Sequence, residues 1–269
     1  MIRLDIIVLI KQVPDPREYV RVREDGTLDR EKARAVINEC DKNALEAALQ
    51  LKDRFNSRVV AVSMGPLKAE DALREALAMG VDEAVLISDR RLRGSDTLAT
   101  SYVLYKAIEK LGPYDLIICG VESSDGGTAQ VGPELAEFLG IPQATFVEGF
   151  DVKGNYVELK RRVEGGYEKL RMAMPALLTV LKNANSPRVT TFSGILKAVK
   201  KPVVTWSLDD IGAEVDKVGL AGSPTKIMKV EKVSLQRKRV LIEGKTIEEI
   251  VDNLLRKLRE ERVIMGVAG

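Results

Sequence analysis

The chain has 269 residues, 45% apolar and 30% charged, and its 42 Lys and Arg nearly balance its 40 Asp and Glu. So even a balance gives no overall field to gather nucleic acid or an anionic membrane, and the ordinary apolar content excludes low-complexity and collagen-like classes. There is no histidine, and the two cysteines, Cys40 and Cys119, stand far apart without C-x-x-C spacing, which argues against zinc sites, iron–sulfur clusters and imidazole acid–base catalysis. The apolar runs are strand-sized, as at residues 116–119, far below the roughly 20 residues that span a bilayer. Arg3 and Asp5 fall in the first strand with no apolar leader before it, so a cytoplasmic location is expected.

Residues 4–10 are apolar and β-branched and end at Pro14, which marks a first strand. A helical stripe over residues 41–55 leads to a second strand at 58–64. Ala69, Ala72, Leu73, Ala76 and Leu77 then fall on one helical face, with Gly80 where a left-handed C-cap belongs. A third strand at 83–88 precedes a helix capped by Ser95 or Asp96 and running to Leu111, with Leu98, Tyr102 and Ile108 expected on its buried side. The strand at 114–120 gives way to a glycine-rich turn, a helix over about 129–139 stopped by Gly140 and Pro142, and a strand at 143–147. Alternating strands and helices predict a mostly parallel sheet covered on both faces.

From residue 150 the pattern alternates around the turns Lys153-Gly154-Asn155 and Glu164-Gly165-Gly166, as in antiparallel hairpins, so the parallel winding is expected to end there. Strand-like runs follow at 176–181 and 203–206, with a short basic helix or turn at 193–199 between them. A polar stretch from 207 to 239 reads as an arm. Ile247, Ile250, Val251, Leu254, Leu255 and Leu258 make an amphipathic helix that needs a covering surface, within this chain or on a partner. The expected division is an α/β nucleotide- or flavin-binding domain at 1–205, including the hairpin at 150–175, and a C-terminal arm and helix at 206–269 that packs on a partner subunit.

The segment most open to ligand chemistry is Gly120 to Pro133, which includes Asp125, Gly126, Gly127, Thr128, Ala129, Gln130 and Val131. Adjacent glycines permit close backbone approach, and free amides at a helix start favour phosphate. The competing reading is a glycine turn with Asp125 or Thr128 as N-cap. Leu9 to Lys11, Asn38 to Asp41 (with Glu39 and Cys40), and Met64 to Pro66 would meet at the same sheet edge, although Asn38 and Asp41 are equally good helix caps. Asp96, Thr97 and Thr100 could hydrogen-bond a ring system or serve as capping chemistry. Phe192, in a loop with Pro187 and Arg188 and followed by Lys197, Lys200 and Lys201, is either a docking site for an acidic redox partner or a core residue beside a solvated lysine face.

In order and spacing the chain resembles the electron-transfer flavoprotein β-subunit family. The matching pieces are V-L-I-K-Q-V-P-D (8–15), N-E-C-D-K-N-A-L-E-A-A-L (38–49), A-L-A-M-G-V-D (76–82), the loop after Gly120, and N-S-P-R-V-T-T-F-S-G-I-L-K-A (185–198). The resemblance implies an adenine-nucleotide α-hydrolase-like, Rossmann-like fold and pairing with an α subunit that carries its own FAD. It implies nucleotide contacts from Leu9, residues 38–41, Met64 and residues 120–131, and partner recognition around Phe192. D-G-G-T-A-Q-V-G-P (125–133) and G-S-D-T-L-A-T (94–100) are similar to the electron-bifurcating group, in which a second FAD accepts hydride from NADH; other members hold AMP there. Gly127 stands where the bifurcating pattern has a second aspartate. The bifurcating reading implies electron delivery to a quinone-linked or acyl-CoA-type partner, such as a dehydrogenase or quinone oxidoreductase, and to ferredoxin or flavodoxin. An ATP-using synthetase is disfavoured because Lys11-Gln12-Val13-Pro14, not S-G-G-x-D-S, follows the first strand. A minimal nucleotide-sensing module would lack the hairpin and arm.

Overall fold

A computed structural model describes residues 3–15, 34–226, 228 and 239–264. Lys229, Lys232, Arg237 and Lys238 of the expected arm lie outside the described residues. The chain forms two compact units, Met1–Val230 and Glu231–Gly269.

The first unit is built on a nine-stranded sheet. In chain order its strands are β1 (Asp5–Leu9), β4 (Arg58–Met64), β5 (Glu83–Ile87), β6 (Leu116–Gly120), β7 (Gln143–Lys153), β8 (Tyr156–Val163), β9 (Gly166–Ala173), β10 (Ala176–Val180) and β11 (Val203–Trp206). They lie in the spatial order β11-β5-β4-β1-β6-β10-β7-β8-β9. A small antiparallel pair, β2 (Gln12–Pro14) and β3 (Ala35–Ile37), stands apart from it. All pairs from β11 through to the first half of β7 are parallel, which is the expected fold class; the pairs β7–β8 and β8–β9 are antiparallel.

The expectation that parallel winding ends at residue 150 is corrected. After the hairpin, β10 enters between β6 and β7, and β11 joins the outer edge of β5, both in parallel. Strand β7 serves both regimes by a register break between Val147 and Gly149, beside Phe146 at φ +56°. Such a bulge re-aims a strand without ending it.

The central strands are apolar on both faces, as parallel strands covered on both sides must be. On one face, Ile6, Val8, Val59 and Leu178 pack against the stripes of α1 (Glu39–Phe55) and α2 (Glu70–Met79). On the other, Ile7, Val60, Ile117 and Leu177 meet α3 (Thr97–Leu111) and α4 (Val131–Leu139). Leu98 departs from expectation: it is exposed, while Tyr102, Val103 and Ile108 carry the buried side of α3. After β11, Leu208, Ile211 and Val218 are buried in this second core layer. Among the described residues no helix is long and apolar enough to cross a membrane.

The basic segment after residue 191 is a helix, α5 (Phe192–Lys200), N-capped by the Thr191 hydroxyl, which accepts from the Gly194 amide. It packs closely on α2, because a Cβ at Gly194 would collide with the Ala78 carbonyl oxygen. In the second unit, α6 (Ile247–Glu260) is capped by Thr246 and keeps Ile247, Ile250, Val251, Leu254 and Leu255 exposed.

Gly194→Ala should therefore lever α5 off α2. A loss of roughly 1–3 kcal/mol is expected for such overpacking, read as a lowered denaturant midpoint with an unchanged m-value.

Candidate functional site

Strands β1 and β6 are neighbours, yet the chain leaves β1 for helices on one face and β6 for a helix on the other. This is a topological switch point, where open α/β sheets leave a crevice beyond the carboxyl ends of the strands. Leu9, Met64 and Gly120 end β1, β4 and β6, so the structure brings these three expected residues to adjacent positions at one edge.

Asn38 and Asp41 do not cap α1 with their side chains, contrary to one of the two roles open to them. Asp41 bridges the switch point: its Oδ2 accepts from the Lys11 amide at 2.8 Å and its Oδ1 from the Gly120 amide at 3.0 Å. A Cβ at Gly120 would run into that same Asp41 oxygen and into Cys40. Asn38 holds the next stretch of loop, donating to the Glu122 carbonyl at 2.8 Å and accepting from the Ser124 amide at 3.0 Å. Glu39 is exposed on the first turn of α1. Lys11 reaches over the loop to Asp125 at 2.7 Å and Ser123 at 3.3 Å.

Neither Asp125 nor Thr128 caps α4. The N-cap position is Gln130, without a side-chain cap bond. Gly127 at φ +61° has open space around its Cα, and Ala129 sits at φ +55°, a conformation a residue with a Cβ rarely adopts. A positive-φ residue followed by an αR residue, as at Ala129 and Gln130, turns successive N–H groups into one concavity suited to an anion. Strained backbone of this kind gathers at ligand clamps. Gly126, Gly127 and Thr128 are exposed, while the Gly126 and Gly127 amides both donate to the Ser123 carbonyl, at 3.2 and 2.8 Å. Beneath them, Gly132 allows α4 to approach β10: a Cβ there would lie 2.5 Å from the Thr179 methyl.

Asp96 caps α3 by accepting from the Ala99 amide at 3.0 Å, and its other oxygen accepts from the Thr225 amide and hydroxyl. Ser223 accepts from the Asp96 amide at 2.8 Å, so residues 219–225 strap the start of α3. Thr97 lies against α4, within 3.0 Å of a Glu134 carboxylate oxygen and 3.3 Å of Gln130 Oε1; Ser101 donates to the other Glu134 oxygen at 3.1 Å. Thr100 is half-buried one turn on. Sequence reasoning missed Glu134 and Ser101, whose only signal is their place one turn after Gln130 and Thr97.

Burial pushes the Asp41 carboxyl up to about 7, against the backbone amides, Asn38 and Lys11 that pull it down. Burial, and then the neighbouring Asp41 charge, also raises both thiols, Cys40 and Cys119, so neither is poised as a nucleophile.

The segment expected to recognise a partner divides. Phe192 is 77% exposed, which rules out the core reading, and Pro187 and Lys197 are exposed with it. Arg188 turns inward onto Glu46 and Asp53 of α1.

The electron transfer flavoprotein domain family matches residues 25–211. The electron transfer flavoprotein subunit beta of Clostridium acetobutylicum is 45% identical, over 97% of this chain and all of that protein. The chain belongs to the electron-transfer flavoprotein β-subunit family. The caffeyl-CoA reductase-Etf complex subunit CarD of Acetobacterium woodii is 39% identical, over 96% of this chain and 99% of that protein. Protein FixA of Bradyrhizobium diazoefficiens is 44% identical, over 83% and 81%.

For an electron-transfer flavoprotein β chain the switch-point clamp should be indispensable. Asp41→Ala leaves two amides without acceptors, at roughly 1–3 kcal/mol each, so thermal unfolding should shift down and exchange of the Gly120 and Lys11 amides should speed up. Between pH 4 and 7 the folded chain holds a proton on Asp41 that the unfolded chain, at its ordinary 3.8, has released. Stability should then fall as pH rises through that window, by up to about 1.4 kcal/mol per pH unit, and level off above it. Asp41→Asn should flatten this profile; a wild-type curve that rises instead would show the amides holding the group ionised.

Proposed function

We propose that this chain holds an FAD at the β1–β6 crevice, accepts electrons there from NADH, and divides them between the α-subunit FAD, leading to a quinone-linked or acyl-CoA-type partner, and ferredoxin or flavodoxin. The observation that carries this reading is the uncapped start of α4, presented by a loop that Asn38 and Asp41 clamp and Lys11 overhangs. A helix N-terminus without a side-chain cap, the backbone leading into it and the Lys11 ammonium at the same strand edge fit a pyrophosphate. When bound, the flavin supplies the hydride and one-electron chemistry, and the protein supplies placement and electrostatics.

In this reading Lys11 and the amides of residues 128–131 hold the phosphates, and Gly126 and Gly127, whose amides close the turn on Ser123, let the backbone approach them. Leu9, Met64 and residues 38–41 bound the adenosine end. The strapped start of α3 offers the Thr97 and Thr100 hydroxyls to the ring, with Glu134 fixing the position of Thr97. Glycine at position 127 keeps one more carboxylate away from the phosphates and so removes a repulsion. Resemblance of residues 94–100 and 125–133 to the bifurcating group supports FAD over AMP, and the relative named as part of a caffeyl-CoA reductase-Etf complex supports an acyl-CoA-type partner.

The exposed face of α5, with Phe192, Ile195, Leu196 and Val199 beside Lys197 and Lys200, docks a dehydrogenase-type redox partner whose contact surface is apolar with an acidic rim. The stripe of α6 packs on the α subunit in the cytoplasmic heterodimer.

Co-expression with the α subunit, followed by denaturing release, should yield two FAD and no AMP per heterodimer. One FAD with one AMP would replace this reading by a single-flavin carrier whose β chain holds a structural nucleotide.

A further inference from the structure

A cation next to an exposed phenylalanine is ordinarily taken for a partner contact, but Arg188 is committed elsewhere. Its Nε donates to Glu46 Oε2 at 2.8 Å, its Nη2 to Glu46 Oε1 at 3.2 Å and to Asp53 Oδ2 at 2.9 Å, and its own backbone amide donates to Glu46 Oε2 at 3.0 Å. The Glu46 side chain is only 6% exposed, and Gln50 donates to its Oε1 as well. Three residues earlier, Asn185 and Asn43 exchange hydrogen bonds: Asn43 donates to the Asn185 carbonyl and side-chain oxygen at 2.8 and 2.9 Å, and Asn185 donates back to the Asn43 carbonyl at 2.9 Å. The loop between β10 and α5 is thus fastened along α1. Immediately beyond the fastening, Val189 is 86% exposed and Phe192 77%.

The far end of α5 is fixed as firmly. Arg74 of α2 donates to the carbonyls of Ala198 and Lys201 at 3.1 and 2.7 Å, and the Lys201 ammonium reaches the Val81 and Asp82 carbonyls. Apolar side chains left in water would otherwise fold back onto the sheet, so holding them out requires a mount. A buried carboxylate paired to a guanidinium is a costly one, with its main return in a defined geometry.

We propose that Arg188 is a positioning residue for docking: through Glu46 and Asp53 it sets where Phe192 stands, and it does not itself touch the redox partner. This rests on the reading that the α5 face docks that partner. The contacting cations are then Lys197 and Lys200, which are exposed and carry the electrostatic steering.

The test uses the assembled heterodimer and an acyl-CoA dehydrogenase as probe, measuring the second-order rate constant of electron transfer as a function of ionic strength. Phe192→Ala should slow the reaction, and Lys197→Gln should flatten its salt dependence. Arg188→Gln should lower the rate constant by roughly tenfold, within the range for coupled contacts, while leaving the salt slope of the wild type. Glu46→Gln should do the same, and the double variant should be no slower than either single one. Amide exchange over residues 186–192 should speed up in both, a readout that needs no partner. An Arg188→Gln salt slope as flat as that of Lys197→Gln would overturn the proposal, since Arg188 would then be a direct contact. So would additive losses in the double variant, or an unchanged rate in Arg188→Gln where Phe192→Ala is slow. If Phe192→Ala has no effect, the docking reading itself fails and the positioning role with it.

Discussion

One carboxylate, Asp41, stands between the two strand ends from which the rest of the site is built. Where β1 and β6 part toward opposite faces, their sheet ladder ends and the amides of Lys11 and Gly120 have no strand to donate to. Asp41 accepts both. This explains why position 120 must be glycine: the space a side chain would need is the space the carboxylate fills. It also explains how an acid is buried with no ammonium directly on it: both oxygens have amide partners, and burial holds the group protonated up to about pH 7. Lys11 is thereby left to extend over the loop to Asp125 instead of neutralising the clamp.

Helix starts are treated unequally across the unit. Asp96 closes α3 and Thr191 closes α5, each accepting from an amide in the first turn. Helices α1, α2 and α4 receive no such cap, and at α4 this is so although Asp125 and Thr128 stand just ahead of it. Asp125 is drawn to Lys11, and the chain turns into the helix through positive φ at Gly127 and Ala129 instead of through a capping side chain. The helix dipole at that end therefore remains to act on whatever enters the crevice.

Local patterning made much of this legible. The 3.6-residue stripes of α1, α2 and α3, the glycine caps and the β-branched strands are short-range signals, and the structure follows them within a few residues. Spatial order was not legible, because nothing in residues 176–180 distinguishes a strand beside β6 from one continuing the hairpin. Asn38 and Asp41 suit both a capping role and a bracing role by type and spacing; the choice is made by Gly120, Glu122 and Ser124, which lie about eighty residues away. Arg188 likewise reads as a surface cation beside an aromatic until Glu46, from the inner side of α1, is placed against it. The loop after β6 was readable because glycines before a helix constrain backbone approach by themselves; Phe192 suited a core or an exposed place equally by its neighbours, and only the packing of α5 on α2 puts it outside.

The place of β10 has a consequence for how the chain comes to be folded. It lies between β6 and β7, both of which emerge from the ribosome before it. Until residues 176–180 are made, those two strands cannot be joined, and each presents a row of unpaired amides and carbonyls along an apolar edge. The hairpin of β8 and β9 extends the far edge of β7 and leaves the slot open. Synthesis thus passes through an interval in which the nascent sheet is two separate pieces, each with a bare edge of the kind that invites intermolecular pairing. Residues 176–180 are buried at every position, and their arrival closes both edges in one step.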